Sequence, residues 1–368
     1  MVMIDWVTAK IPFYYPGIIS DGEVVSVTRD GEVEYAVRKR LSVRGSHDGA
    51  ITLRTAEVDA DGNTVIAELS GNPVKFLQGH NLFGSDDLLN LVAETVLRVA
   101  EILEAPQPDH AFKMVCCGAY TLSRVDINRM FALGSRAEVL AYLYAMSTNT
   151  RTRSQGPVTK GSTVYLNKDS RRWTFKFYSK GQEVNLKRNR KQGTLDLPAN
   201  LKEWADIMLR AELTLKSNEL RELHLHVAAN WHTMETLDLF ADYAERIEMA
   251  AQKPITDLSE LMQKLSTKAA VSSYQLWADG HDVRQIIPKR TFYRHRAALL
   301  EHGIDISMPP PPRDEKPSNV VPLCKTLELK PATLPHWVSG TEYLFEPRKL
   351  CTPDASVEMT PAQFLKLA

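Results

Sequence analysis

The first chemistry this sequence offers is a phenol set between two ammonium groups. Tyr178 is flanked at alternate positions by Lys176 and Lys180. Nearby cations favour phenolate over phenol, which makes Tyr178 a candidate nucleophile. The element that must hold it is a hairpin. Thr163 to Leu166 reads as one strand, Asn167-Lys168-Asp169-Ser170 as a polar turn, and about Arg172 to Lys180 as a second strand. Strand alternation sends Trp173, Phe175 and Phe177 to one face, toward a core. Thr174, Lys176, Tyr178 and Lys180 take the other.

The hairpin sits in a basic island. Between Arg151 and Lys191 twelve lysines and arginines stand against two acids, Asp169 and Glu183, in a chain whose formal net charge is zero. Such an island is the electrostatic footprint of phosphate contact, with a solvated polar loop as the plain alternative. Arg151, Arg153, Arg171, Arg172, Lys176, Lys187 and Arg188 are its candidate DNA-binding residues.

Three further strands each carry a carboxylate on the polar face. Glu68 lies on a strand from Thr64 to Leu69, opposite in facing to Val65, Ala67 and Leu69. Asp126 shares a face with Arg124, across from Ser123, Val125 and Ile127. Glu212 shares a face with Arg210 and Thr214 on a strand from Met208 to Leu215. Taken singly, each acid reads as a surface residue. Asp30-Gly31 and Asp61-Gly62-Asn63 supply hairpin turns between early strands. Ser85 reads as the N-cap of a helix from Asp86 to about Glu104, and Ser135 as the cap of another to about Met146. Strands with helices between them predict an α+β fold, an antiparallel central sheet with flanking helices and one functional face.

Length and composition suit a soluble protein of about two domains. The four cysteines form no CxxC pair and no zinc pattern, so reduced thiols are expected. No run approaches the ~20 apolar residues needed to span a bilayer, and the opening Met-Val-Met-Ile-Asp-Trp is unlike a signal peptide. A cytoplasmic location without membrane contact is therefore expected.

After residue 217 the pattern turns helical. Helices are expected from Glu219 to about Asn230 and from Met234 to about Gln252. Val271–Gly280 and Pro288–Gly303 then read either as a helix-turn-helix with a basic second helix or as an ordinary helical cap. The expected division is 1–217, a catalytic domain; 218–312, a mainly helical DNA-binding region; and 313–368, a linker and irregular tail. His224-Leu225-His226 would share a metal ion if it lay on a strand. Leu220, Leu223 and Val227 repeat at helical spacing instead, and on a helix residues two apart diverge.

Several segments together resemble the replication initiators of filamentous phages, the gene II protein family. They are Met3–Phe13, Pro73–Gly84 with its Leu-Gln-Gly-His-Asn block, Leu122–Asp126, Thr152–Gln155, Ser162-Thr-Val, Ser170–Thr174 with the Phe-Tyr-Ser-Lys that ends at Lys180, Arg210-Ala-Glu212 and Asn319–Leu323. The resemblance implies a replication-initiator nuclease fold and a rolling-circle endonuclease. Its Tyr-x-Lys element falls on Tyr178 and Lys180, with Tyr165 ranked second. By a more distant analogy to plasmid initiators, Glu68, Asp126 and Glu212 are the candidate ligands of a divalent metal, Mg²⁺ or Mn²⁺. Implied partners are double- and single-stranded phage origin DNA and a host helicase and DNA polymerase, in the host cytoplasm.

On this reading Tyr178 attacks a phosphate, forms a 5′-phosphotyrosine and frees a 3′-hydroxyl that primes synthesis. Arg290 and Arg294 are the candidates for reading origin bases. Two other readings stay open: a non-catalytic origin- or operator-binding protein, and a nickase built on His224 and His226.

Overall fold

The structure is a computed structural model. It describes residues 2–45, 49–151, 156–185, 197–249, 268–278, 281, 283–300, 304, 306 and 330–351.

One nine-stranded sheet organises the chain. Its strands are β1 (Val2–Tyr15), β4 (Leu41–Arg44), β5 (Ala50–Val58), β6 (Thr64–Gly71), β7 (Thr121–Ala132), β9 (Val158–Lys160), β10 (Thr163–Leu166), β11 (Trp173–Ser179) and β12 (Met208–Lys216). They lie side by side in the order β4-β5-β6-β1-β7-β12-β11-β10-β9. Every neighbouring pair is antiparallel. Two short pairs stand apart from this sheet. One is a ribbon of β2 (Glu23–Val27) and β3 (Val33–Arg38), and the other joins β8 (Thr150–Arg151) to β13 (Glu248–Met249). The α+β architecture read from the sequence is the one observed. The hairpin turns fall at Asp30-Gly31 and Asp61-Gly62, where both glycines take positive φ.

One face of the sheet carries the apolar core. Helix α2 (Leu88–Ile102) lays Leu88, Leu91, Val92, Val96 and Val99 over it, and α4 (Arg136–Asn149) adds Val139, Leu143 and Met146. The alternation of β11 does what its sequence requires: Phe175 and Phe177 stack at 5.1 Å, and Phe240 meets Phe175 edge-on. Burying each ring contributes about 1.5–3 kcal/mol. Helix α3 (Asp109–Cys116) closes the β1 side.

The opposite face is polar, yet half of it is roofed. Helix α1 (Pro73–Gln78) ends at Gly79, whose φ of 90° turns the chain into the loop bearing Asn81, Leu82 and Phe83. Leu82 and Phe83 pack with Leu201 and Ala205 of α6 (Ala199–Asp206) and with Val338. Beside them Met3, Met130 and Met208, from three adjacent strands, bury against Ala332. Residues 330–351, read from sequence only as an irregular tail, form a strap on this body. Ala332 N–H donates to the Met130 carbonyl and Ala132 N–H to that of Lys330. Arg348 grips Glu94 at 2.7 and 2.8 Å, and the amides of Leu350 and Cys351 donate to Asn90.

The structure corrects several local expectations. The cap of α2 is Asp87, not Ser85, because the Asp87 carboxylate takes the Asn90 amide while Ser85 accepts from Asp87. Strand β11 stops at Ser179, whose hydroxyl caps α5 (Lys180–Val184), so Lys180 opens a helix. The helix expected to reach Asn230 ends at Glu222 (α7, Ser217–Glu222), and His224 turns the chain at φ 58°. The next helix, α8, covers Thr236–Glu245 and gives way to β13 instead of running to Gln252. Ser123 is exposed at a register shift between β1 and β7, so it leaves the face of Val125 and Ile127.

A separate helical cluster comprises α9 (Lys268–Ala278), α10 (Val283–Ile286) and α11 (Lys289–Leu300). Val271, Trp277, Val283, Phe292 and Leu299 form its core. Lys289, Arg290, Tyr293 and Arg294 are exposed along α11.

Candidate active site

Tyr178 lies on the polar face of β11, beside the acid and base of β12. It lies opposite Arg210, and Lys176 lies opposite Glu212, across the β11–β12 ladder. Tyr178 Oη donates to Glu212 Oε2 at 3.2 Å. Lys176 Nζ donates to the other oxygen, Glu212 Oε1, at 2.7 Å and stands 4.9 Å from the centre of the Tyr178 ring. On β7, Asp126 faces Thr214, one diagonal step from Glu212. Both Asp126 oxygens accept from Arg124, at 2.8 and 2.6 Å, and the Arg124 guanidinium covers the Trp6 ring at 5.3 Å.

Behind Tyr178 lies a second layer of buried charge. Arg210, with no exposed surface, pairs with Asp5 of β1 at 2.8 Å and donates to the Asn81 carbonyl at 2.5 Å. Asp5 also accepts from Asn72 and Asn81. Lys180, 1% exposed, donates to Asn81 Oδ1 at 2.8 Å and to Glu183 Oε2 at 2.7 Å. Asn81 therefore links Asp5, Arg210 and Lys180, and Gln78 holds its loop by donating to the His80 and Phe83 carbonyls. These bonds give the Leu-Gln-Gly-His-Asn block its physical role.

The electrostatics differ from what the flanking lysines suggest. Burial raises the Tyr178 phenol well above its usual range, Arg210 opposes that, and the Glu212 and Asp5 carboxylates add to it. Lys176 and Lys180 do not offset this, because Glu212 and Glu183 neutralise them. The phenol is protonated at neutral pH, so attack requires a base at Oη. Burial lowers Lys180 as well. For Asp126, burial outweighs the hydrogen bonds from Arg124, and with the Glu212 charge pushes the carboxyl up to about 6.

Of the three candidate metal ligands, the fold gathers two. Asp126 and Glu212 are diagonal neighbours on one face. Glu68 faces Lys10 of β1, four residues along from Trp6, which faces Asp126. At about 3.3 Å per residue this places Glu68 roughly 13 Å away along the strand. It is held there by Arg40 and Arg54. Among the described residues no group of three or more His, Cys, Asp and Glu side chains is arranged to hold a metal ion. Asp126 and Glu212 nonetheless fit a hard divalent cation as oxygen donors, since the Glu212 charge raises the cost of charging Asp126 and a cation would relieve it.

The remaining candidates scatter. Tyr165 faces Lys176 across the β10–β11 ladder, with Lys168 5.7 Å from its ring. Arg171 is exposed, and Arg172 is tied to Glu219 and Glu222. Arg151 belongs to β8, while Arg153, Lys187 and Arg188 lie outside the described residues. Arg290 and Arg294 are on α11. His224 is exposed in a turn, and the His226 carbonyl accepts from Leu122. Asp5, Asn81 and the role of Arg210 are not among the residues that sequence reasoning singles out. The available signal was charge inside two apolar runs, Asp5 in Val2–Val7 and Arg210 with Glu212 in Met208–Leu215.

Two family models match the chain, both of the phage replication-associated protein known as gene II protein. The N-terminal model matches residues 3–234 and the C-terminal model residues 262–342. The chain belongs to the gene II replication-associated protein family. The replication-associated protein of Enterobacteria phage I2-2, a gene II protein, is 38% identical over 335 residues, which cover 90% of this chain and 95% of that protein. A rolling circle replication initiator protein from Geobacillus stearothermophilus aligns with 70% of this chain and 88% of its own at 13% identity, with a TM-score of 0.29. The C-terminal gene II match takes in both the α9–α11 cluster and part of the strap. Among the described residues no helix is long and apolar enough to cross a membrane.

Proposed function

We propose that this protein initiates rolling-circle replication by nicking one strand of a phage origin, with Tyr178 as nucleophile and Glu212 as its base. The observation that carries this reading is the Tyr178–Glu212 hydrogen bond, one diagonal step from Asp126, in a chain of the gene II protein family. A purely structural tyrosine needs burial but not a shared carboxylate beside a second one.

In the proposed reaction Glu212 Oε2 accepts the phenolic proton. The oxygen of Tyr178 forms a bond to phosphorus, and the bond from phosphorus to the 3′ oxygen breaks. The 3′ oxygen takes a proton from water and leaves as a hydroxyl, and the Glu212 carboxyl gives the phenolic proton to the hydroxide left behind. The product is a 5′-phosphotyrosine, which preserves the bond energy for later rejoining of the displaced strand. Lys176 and Arg124, with side chains 28 and 43% exposed, flank the carboxylates where a phosphate would approach. Lys180, Asn81 and Arg210 hold the strand end that carries Tyr178. Asp126 and Glu212 would hold Mg²⁺ or Mn²⁺, which when bound supplies Lewis-acid stabilisation of charge on the phosphate.

Sequence choice falls to α11 in this reading. Arg290 and Arg294 are exposed one turn apart, the spacing that puts two guanidinium groups on one helix face toward base edges. The freed 3′-hydroxyl is a substrate for a host DNA polymerase, with a host helicase parting the strands.

The test is nicking of supercoiled DNA carrying the cognate origin, with Mg²⁺, scoring protein linked to the 5′ end after denaturation. Wild type is expected to nick and become linked, and Tyr178→Phe to bind without doing either. Linkage by Tyr178→Phe would move the nucleophile to Tyr165. Binding without nicking by wild type would leave a DNA-binding protein. Arg290→Ala with Arg294→Ala is expected to relax origin preference by about 1–3 kcal/mol per lost base contact, with cleavage of a melted single strand unchanged. Equal loss of both activities would remove α11 from recognition.

A further inference from the structure

The β2–β3 ribbon is built unlike the rest of the molecule. Val24, Val25, Val27, Val33, Tyr35 and Val37 are between 44 and 63% exposed, on both of its faces. The ribbon is its own two-stranded sheet, so among the described residues both outer edges are unpaired. An isolated two-stranded hairpin is marginal in water, and exposed apolar strands with open edges are templates for further pairing.

Charge excludes one class of partner. From Glu23 to Arg38 the ribbon carries Glu23, Asp30, Glu32 and Glu34 against Arg29 and Arg38. That net negative charge repels nucleic-acid phosphate and anionic lipid, so the surface suits protein.

We propose that β3 pairs antiparallel with β3 of a second copy of this chain, about a two-fold axis at Ala36. In that register Arg38 of each copy stands across from Glu34 of the other, which sits at the register shift of β3 and accepts from the Ser26 hydroxyl of its own ribbon at 2.7 Å. Tyr35 meets Val37 on the other face, where Val24 already neighbours Val37 within one ribbon. Val24, Tyr35 and Val37 then continue across the axis into their symmetry mates, and two marginal ribbons become one four-stranded sheet. Arg38 already lies opposite Glu23 within its own ribbon. Across the axis it therefore stands between two carboxylates, one from each copy. The β2 edge offers no equivalent. Paired about Val25, it would set Glu23 against Val27 and match no charges. A symmetric interface uses the same patch twice, so each change acts at two places.

The experiment is sedimentation of the full chain without DNA over a range of concentrations, for wild type, Glu34→Arg, Arg38→Glu and the double variant. These side chains are exposed, so folding, checked by circular dichroism, is expected to be unaffected. Wild type is expected to dimerise. Each single variant sets like charges opposite each other twice and should weaken the dimer about tenfold. The double variant restores opposite pairs and should recover wild-type affinity. A wild-type chain that stays monomeric at its solubility limit would overturn the proposal and assign the ribbon to a different protein. A dimer that ignores the single variants, or is not restored in the double, would also overturn it. Because the readout is association without DNA, the outcome is independent of whether Tyr178 is the nucleophile.

Discussion

Glu68 and Glu212 lie on the same face of the same sheet, on strands of similar alternation, yet their surroundings are opposite. Glu212 is crowded by a second carboxylate, shares its oxygens between Lys176 and Tyr178, and is 6% exposed at the side chain. Glu68 has Arg40 and Arg54 to itself and no neighbouring acid among its partners. One end of the face brings carboxylates close together among their paired cations, and the other leaves a single carboxylate between two arginines. Sharing a face is therefore not enough to make a carboxylate chemical. Crowding of like charges perturbs a group, and that depends on register along the strands.

The largest test of this contrast is Glu212→Gln, which keeps the shape but removes the base at Tyr178 Oη. Loss of a general base predicts a fall in nicking rate of about 10²–10⁴-fold, with origin binding preserved. A rate near wild type would mean that the crowded end is not where the proton goes.

Asp126 sharpens the comparison through pH. Its folded-state value is about 6, against about 3.9 in an unfolded chain. Between those values the native protein holds a proton that the unfolded chain has lost. The contribution of Asp126 to stability is therefore most favourable below pH 4, falls as pH rises through the window, and carries its full cost above pH 6. The loss is on the order of 3 kcal/mol. Metal-free Asp126→Asn should lack that decline, and be more stable than wild type at pH 7.5, while nicking poorly. Parallel stability profiles for the two proteins would contradict the assignment. Smallest of all, Glu68→Gln should cost about 1 kcal/mol by releasing a partly exposed ion-pair cluster, and should leave nicking unchanged. Loss of nicking there would erase the distinction between the two ends.

Much of this arrangement is legible in the sequence. Period-two alternation is a local property, so the faces of β11 and β12, the turn at Asn167–Ser170 and the α+β class can all be read directly. What alternation cannot supply is the pairing of distant strands. The convergence of Asp5 with Arg210, 205 positions apart, depends on β1 entering the sheet beside β7, which no local pattern specifies. The ionisation of Tyr178 is hidden for a related reason. Lys176 and Lys180 are near in sequence, but their charges are answered by Glu212 and Glu183. The burial that dominates the phenol is a product of the tertiary fold, which no local pattern specifies. The helical periodicity around His224 misleads in a different way. A single left-handed residue ends a helix whose apolar spacing would have carried on.

The strap has a consequence for how the molecule handles DNA. In the chain the α9–α11 cluster stands between β13 and the strap that begins at Lys330, where the backbone bonds to β7. The chain therefore joins the cluster to the body on both sides. Two covalent joins give a higher effective concentration near the sheet than one. On the proposed reading, once one part of the protein engages an origin, the other meets its own stretch of the same duplex almost as an intramolecular event. Cutting the chain just before residue 330 would leave every residue of the cluster in place and still give it a longer, looser reach.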